Sequence, residues 1–334
     1  MNVKLIVLGL MLTVASVSGQ DPIFSQFYNA PNQINPAFAG NTESPFIATN
    51  YRLQWPGFSN VYNTYMLSYD QFVPKLNSGF GLSLLADDAG DGTLKTTKIS
   101  GIYSYRVYIK RNTYLKLGLE AGVVQHRLDP TKLIFFDQLD PQFGAISPGG
   151  TRYPTEENLA DIGTRYYPDI GAGLMVYSPK FYGGIGLKHL NNPDTGFLQN
   201  VENIDRGLPI RITIHGGMQI DIEKGNKATK GTFISPNVMY VKQGPFRQIN
   251  AGAYLDFGDI FTGLWYRDTA SNGDAVIGSV GVRSGIYKIS YSYDLTISGL
   301  GINSGGTHEI GLILNFDSLL PKESKYNDCL SLFR

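Results

Sequence analysis

Four histidines, one cysteine, an acidic turn and a glycine cluster are the parts of this chain whose residue types could do chemistry. The histidines are His126, His189, His215 and His308, and no two stand at a spacing that chelates one metal ion. His308–Glu309 begins the His-Glu-x-x-His pattern of zinc peptidases, but Leu312 occupies the place of the second imidazole, so that centre is not built. The run Asp87–Asp88–Ala89–Gly90–Asp91–Gly92 is similar to a calcium loop. Ala89 sits where an oxygen ligand belongs and no Glu closes it, so a hairpin turn is expected instead. Tyr182–Gly183–Gly184–Ile185–Gly186 lacks the strand-to-helix turn that a phosphate cradle needs, and close packing or a bend is the expected use of those glycines. No G-x-S-x-G elbow occurs, which weighs against a serine hydrolase. Cys329 is the only cysteine. It can form no internal disulfide and is expected to be a tail residue without chemistry. The chain reads as a non-enzyme, with no cofactor and no metal.

The elements that must position these residues are strands. In residues 210–223, Ile210, Ile212, Ile214, Met218, Ile220 and Ile222 fall on one face, and Arg211, Thr213, His215, Gln219, Asp221 and Glu223 on the other. Only a strand puts successive side chains on opposite faces. In residues 286–297, Tyr287, Ile289, Tyr291, Tyr293, Leu295 and Ile297 likewise oppose Lys288, Ser290, Ser292, Asp294 and Thr296. Such segments recur to the end of the chain, with no helical domain to cover the apolar face. Lipid can cover it.

Fourteen segments read as strands: 44–55, 60–72, 77–87, 94–109, 112–126, 166–177, 180–190, 208–222, 231–242, 246–257, 259–267, 274–283, 286–297 and 306–317. Each is long enough for an outer-membrane strand, of which roughly 9–11 residues cross the lipid. The connections alternate in length. Val73–Leu76, Lys110–Arg111, Ser178–Pro179, Gly258 and Ser284–Gly285 are short, whereas Asp87–Gly92, Arg127–Arg165, Asn191–Gly207, Asp268–Gly273 and Ser298–Gly305 are longer. Glu223–Lys230 and Gln243–Pro245 break the rule. Short periplasmic turns and long outer loops produce this alternation in an outer-membrane barrel, and a soluble sandwich has no reason for it. The expected fold is all-β, a transmembrane antiparallel β-barrel of the outer membrane with about 14 strands.

In that register the polar face points into the lumen, lined by Lys116, Glu120, His126, Lys288 and Asp294. A Lys or Arg on the lipid face would cost about 2–4 kcal/mol near the midplane, so the register is strongly specified. Arg211 and Arg283 are further lumen charges without identified partners. Tyr103, Tyr105, Phe181 and Trp265 suit interfacial girdles, though they could equally be ordinary strand aromatics.

The composition, with 39 Gly, 12% aromatic and only 17% charged residues, suits a barrel better than a soluble α/β enzyme, though a soluble sandwich also fits it. With 28 basic and 28 acidic residues the formal charge is zero, which points to no nucleic acid partner. Residues 1–19 carry Lys4, an apolar stretch from Leu5 to Val17 and then small residues. They read as a signal peptide cut before Gln20, too short in its apolar part to serve as a membrane anchor. The expected organisation is a signal peptide at 1–19, a plug segment on the periplasmic side at 20–43, the barrel at 44–317 and a periplasmic tail at 318–334. Both ends of the mature chain are expected in the periplasm.

Two regions outside the strands could carry function. The segment Phe24–Gly40 combines Phe24, Phe27, Tyr28 and Phe38 with Asn35–Pro36. Unpaired aromatics need burial, so it is expected to pack into the periplasmic mouth, either as a stabilising or as a gating plug. The outer loop Arg127–Arg165 carries Phe135, Phe136 and Phe143 among Pro and Gly. It could dock a surface protein together with Asn191–Gly207, or fold inward and narrow the pore.

The leading segment DPIFSQFYNAPNQINPAFAG (Asp21–Gly40) and YRLQWPG (Tyr51–Gly57) resemble the PorP/SprF family of Bacteroidota outer-membrane proteins. Agreement continues at Ser68–Gln71, Phe181–Leu190, Ser235–Tyr240, Gly263–Arg267, Ser290–Ser298 and Gly305–Leu312. Cys329 also resembles a cysteine near the end of many relatives. The resemblance covers essentially the whole mature chain in order. It implies a role in the type IX secretion system, which exports proteins across the outer membrane and drives gliding in some species. PorP-like members are components of the apparatus. SprF-like members are partners of a large secreted surface protein, usually one with a C-terminal sorting domain. The family brings no catalytic motif.

Three functions compete on this reading. The first is a non-enzymatic barrel, anchored in outer-membrane lipid, that assists export or attachment of a large secreted adhesin. The second, within the same system, is a core component contacting periplasmic ring proteins and other secretion components. The third is a diffusion porin for small solutes.

Overall fold

The computed structural model describes residues 20–58, 61–110, 112–156, 163–197, 207–223, 231–269, 272–319, 330 and 333. The expected signal peptide, Cys329, the middle of Asn191–Gly207 and most of Glu223–Lys230 lie outside the described residues.

The strands are β1 (Phe46–Gln54), β2 (Tyr62–Val73), β3 (Ser78–Ala89), β4 (Leu94–Lys110), β5 (Thr113–Leu128), β6 (Thr164–Tyr177), β7 (Phe181–Lys188) and β8 (Arg211–Met218). They continue with β9 (Ile220–Glu223), β10 (Thr232–Gln243), β11 (Phe246–Asp256), β12 (Ile260–Thr269), β13 (Asn272–Ser284), β14 (Tyr287–Thr296) and β15 (Thr307–Asn315). Apart from β8 and β9, chain neighbours pair antiparallel, β1 pairs with β15, and β10 pairs with β8, β9 and β11, so the sheet closes on itself. β8 and β9 are the two halves of one stave, interrupted at Gln219, and both face β10. The result is a closed barrel of fourteen staves. No helix of the described residues is long and apolar enough to cross a membrane.

The alternation runs inside out. Along β14 the polar Lys288, Ser290, Ser292 and Asp294 are buried, while Tyr287, Ile289, Tyr291 and Leu295 are exposed. Ile99, Leu119 and Leu264 are each at least 60% exposed on the outer wall. Water would penalise such a surface; lipid removes the penalty, and closure leaves no unpaired edge. Lys116, Glu120, Lys288 and Asp294 are fully enclosed on the lumen side. Tyr103, Tyr105 and Phe181 point outward. Trp265 does not: it is 2% exposed and faces the lumen. Leu264 and Tyr266 take the lipid side of β12, which leaves Trp265 on the opposite face of the pleat.

The turn Gly90–Asp91–Gly92 has three successive residues with positive φ, the hairpin expected of the acidic run. Asp88 accepts a hydrogen bond from Gly92 N and pairs with Lys95. The connection after β12 is shorter than expected, because Asp268 and Gly273 belong to the strands flanking it.

Candidate functional site

The residues that precede β1 lie inside the lumen. Phe24, Phe27, Tyr28, Asn35, Pro36 and Phe38 are all buried inside the barrel. Three short helical turns, Phe27–Asn29, Pro31–Ile34 and Pro36–Phe38, carry the segment. Proline opens the second and third, where its missing N–H leaves no donor unsatisfied. The other backbone groups need partners, because irregular backbone at membrane depth survives only when protein or trapped water satisfies it.

Charged wall residues meet these groups at the end where β15 begins. Glu309 accepts from Ser25 N and Gln26 N at 2.7 and 2.9 Å and pairs with Arg52 at 3.0 Å. Arg267 donates to the Ser25 hydroxyl and to Asp294, at 2.9 and 2.8 Å. Asp21 lies between His189 Nε2 at 2.7 Å and Arg211 at 2.9 Å, while its N–H donates to Gln243. Arg211 therefore has a partner, and so does Arg283, which pairs with Asp256 at 3.0 Å. From Asp21 the ion pairs continue around the wall: His189–Asp169 at 2.8 Å, Asp169–Lys98 at 2.6 Å, Lys98–Glu120 at 2.7 Å, and Glu120–Lys188.

The middle of the segment rests on glycine. Gly118, Gly173 and Gly186 are paired across β5, β6 and β7 in one row. A Cβ at Gly173 would lie 1.9 Å from Asn35 Oδ1, and one at Gly118 would lie 2.3 Å from Ala37 N. Asn35 turns the chain there. Its Oδ1 accepts from Ala37 N at 2.8 Å, and its Nδ2 donates to the strand carbonyls of Leu174 and Ile185. The glycines of β7 are thus used for close packing, and the packed object is the chain's own leading segment.

Aromatic contacts and a lysine hold the remainder. Phe27 meets Trp265 edge-on at 5.0 Å, and Tyr28 meets Tyr254 at 5.4 Å. The Lys288 ammonium sits 5.0–5.7 Å from the rings of Phe261, Tyr28 and Tyr254. Where the segment leaves the lumen, Lys116 donates to the carbonyls of Ala39 and Gly40, and Asp70 accepts from Gly40 N.

The segment therefore runs most of the length of the barrel and is not confined to one mouth. Asp21 is held by Arg211 and Gln243, at the end opposite the start of β1. The tail also returns: Leu330 and Phe333 are buried inside, against Phe38 and Tyr182. The plug expected in one mouth thus extends through the lumen to Asp21, and Leu330 and Phe333 of the tail lie inside as well. Burying their aromatic side chains and satisfying their backbone inside a polar lumen accounts for both.

The loop after β5 folds on itself. Phe136 is 91% exposed, Phe143 is also exposed, and Phe135 is half-buried. Asp137 accepts from Thr155 Oγ1 and Glu156 N, and Gln138 Nε2 donates to Tyr153 O. These bonds, led by the Glu156 N–H, hold the Asp137 carboxyl below its usual range. Arg152 donates to the carbonyls of Thr131 and Leu133, and Lys132 reaches Asp91 on the β3–β4 turn. Between that turn and the loop lies a cleft of about 260 Å³ edged by Asp88, Asp91, Lys95, Arg127, Asp129 and Lys132. The apolar side chains Ile134, Phe136, Leu139, Phe143 and Ile146 face outward.

His189 is the lumen residue nearest to an acid–base arrangement, but carboxylates occupy both of its ring nitrogens. Among the described residues no group of three or more His, Cys, Asp or Glu could hold a metal ion. Sequence reading found the aromatic segment and the lumen charges but missed Asp21, Asp70 and Phe333. The in-register glycines were the available signal for Asn35.

The family model for "Type IX secretion system membrane protein PorP/SprF" matches residues 16–314. No curated protein matches the chain. Among solved structures, the Ralstonia pickettii toluene transporter TbuX is similar at 10% identity and TM-score 0.48, covering 86% of this chain and 92% of that one. The Acinetobacter baumannii outer membrane protein Omp33 is similar at 9% identity and TM-score 0.41, covering 82% and 97%. These likenesses are too distant to carry any activity across.

Proposed function

This chain belongs to the PorP/SprF family of type IX secretion system membrane proteins, and on that premise we propose that it works as a sealed outer-membrane anchor with a binding loop. Its part is to assist export or attachment of a large secreted surface protein carrying a C-terminal sorting domain. The mechanism is binding, not catalysis. Outer-membrane lipid holds the barrel, and the loop 129–163 meets the cargo.

The supporting observation is the occupied lumen. Residues 24–40 fill the space through which a diffusion porin would pass solutes, and wall side chains hold them on several sides. A barrel filled in this way leaves its outer face as the working surface. That face presents Phe136, Phe143, Leu139 and Ile146 to solvent on a loop with its own internal bonds. Exposed apolar side chains of this kind mark interaction sites. In the same reading residues 1–19 are a cleaved export signal, and the barrel end carrying this loop faces outward.

Replacing residues 130–156 by a short glycine–serine link leaves the strands intact. Loss of the surface protein from cells whose barrel still inserts is the expected result. Full retention of that protein refutes the docking role and returns the reading to a core apparatus component contacting periplasmic proteins.

A further inference from the structure

The lumen wall grips the main chain of the plug from one end of the segment to the other. Glu309 accepts from the N–H groups of Ser25 and Gln26, and Asn50 donates to Asn29 O at 3.2 Å. Lys188 and Arg211 donate to the carbonyls of Asn32 and Gln33, at 3.2 and 2.7 Å. Lys116 donates to Ala39 O and Gly40 O, and Asp70 accepts from Gly40 N. These wall side chains belong to β1, β2, β5, β7, β8 and β15, and each is buried.

Peptide N–H and C=O groups are the same in every polypeptide. Bonds to them fix the path of a chain and are indifferent to most of its sequence. Selection by side chain is sharpest at two places. Asn35 fits over Gly173 and Gly184 and bonds the strand carbonyls, and Phe27 and Tyr28 pack on Trp265 and Tyr254. Residues 21–40 form no strand, and every pairing of the sheet lies within the wall. The gripping side chains therefore stand on a closed sheet that does not depend on this segment for its ladder, which is a preorganised site for a peptide.

We propose that the lumen is a peptide-binding site whose resident occupant is residues 21–40. Its second ligand is an unfolded segment of the protein that this barrel helps to export or attach. That segment carries an aromatic pair and an Asn–Pro turn at the spacing of Phe27–Tyr28 and Asn35–Pro36, and it replaces the plug through the same main-chain bonds. The site rests on the reading of the barrel as partner of a secreted protein: the loop meets that protein outside, and the lumen holds a stretch of its chain.

The test uses the full chain with a protease site inserted between Glu43 and Ser44, folded in detergent and cut after folding. The probes are fluorescein-labelled synthetic peptides: residues 21–40, the same residues scrambled, and a version keeping only Phe27, Tyr28, Asn35 and Pro36 among alanine and serine. The first and third are expected to exchange saturably into the cut barrel, with affinities within about tenfold of each other, and the scrambled peptide is not. N35A in the peptide and E309Q in the wall are each expected to weaken uptake about tenfold, as loss of a buried hydrogen-bonding group does. If the cut barrel does not stay folded, the form lacking residues 21–40 carries the same titrations. A folded barrel that never takes up the first peptide, or takes up the scrambled one equally, overturns the site. Uptake of the first peptide without the third overturns its use for a partner. Bilayer conductance keeps the two readings apart. An uncut barrel that stays silent, with no exchange after cutting, loses only the peptide site, and an uncut barrel that conducts openly loses the seal.

Discussion

The side-chain amide of Asn35 lies 3.0 Å from His215 Nε2 and also donates to the carbonyls of Leu174 and Ile185. One plug residue thus ties together β6, β7 and β8, and it fits only because Gly173 and Gly184 present no side chain there. The position predicts that G173A strains the seat. Overpacking of this kind costs about 1–3 kcal/mol, and N35A, which leaves buried partners unsatisfied, costs a similar amount. Both should lower the temperature at which the barrel loses heat-modifiable mobility, while G101A should not, because a Cβ at Gly101 meets nothing within 4 Å.

Trp265 offers an optical reading of the plug. It touches Phe27 and Tyr28 and is almost wholly buried. In a W55F background its emission should resist acrylamide quenching. Deletion of residues 21–40 should make it quenchable in a barrel that still folds. Equal quenching with and without the segment contradicts the packing described.

The lumen charges make a contrast between buried and exposed pairs. Glu120 pairs with Lys98 and Lys188 inside the wall, so E120Q takes the carboxylate from buried Lys188, while Lys98 keeps Asp169, and is expected to destabilise by about 3–5 kcal/mol. Lys95–Asp88 beside the β3–β4 turn is half exposed, and K95A should change stability by no more than about 1 kcal/mol. Urea unfolding in detergent micelles compares the two.

The loop after β5 has its own acid sensitivity. Asp137 joins the two arms of the loop through Glu156 N and Thr155, and those bonds hold its carboxyl low. A carboxyl lowered by folding stabilises above its unfolded pKa and loses that contribution as pH falls through the folded value. Protease cleavage within residues 130–156 should therefore accelerate only in acid below the ordinary carboxylate range. D137N should show the faster rate already at neutral pH. A pH-independent rate in the parent protein speaks against the bond.

Much of this architecture is legible in the sequence, and the reason is the solvent. Lipid outside and polar surface inside force strict alternation, so β14 shows its two faces from Tyr287 to Thr296 without ambiguity. Where two apolar residues adjoin, as at Leu264–Trp265, parity is lost, and Trp265 turns inward. The interruption at Gln219 leaves no mark because the alternation passes through it. Partnerships in the lumen are hidden for a different reason: any polar residue suits a polar face, so nothing links Asp21 to His189 across 168 positions. Leu330 and Phe333 sit in a short tail whose last apolar residues, Leu330, Leu332 and Phe333, are too few to make a periodic signal.

Single-channel recording in planar bilayers is the most direct test of a barrel sealed by its own leading segment. The full chain is expected to insert without conducting, and the form lacking residues 21–40 is expected to give steady, porin-sized steps. A full-length barrel that conducts openly, or a folded deletion that stays silent, contradicts the account.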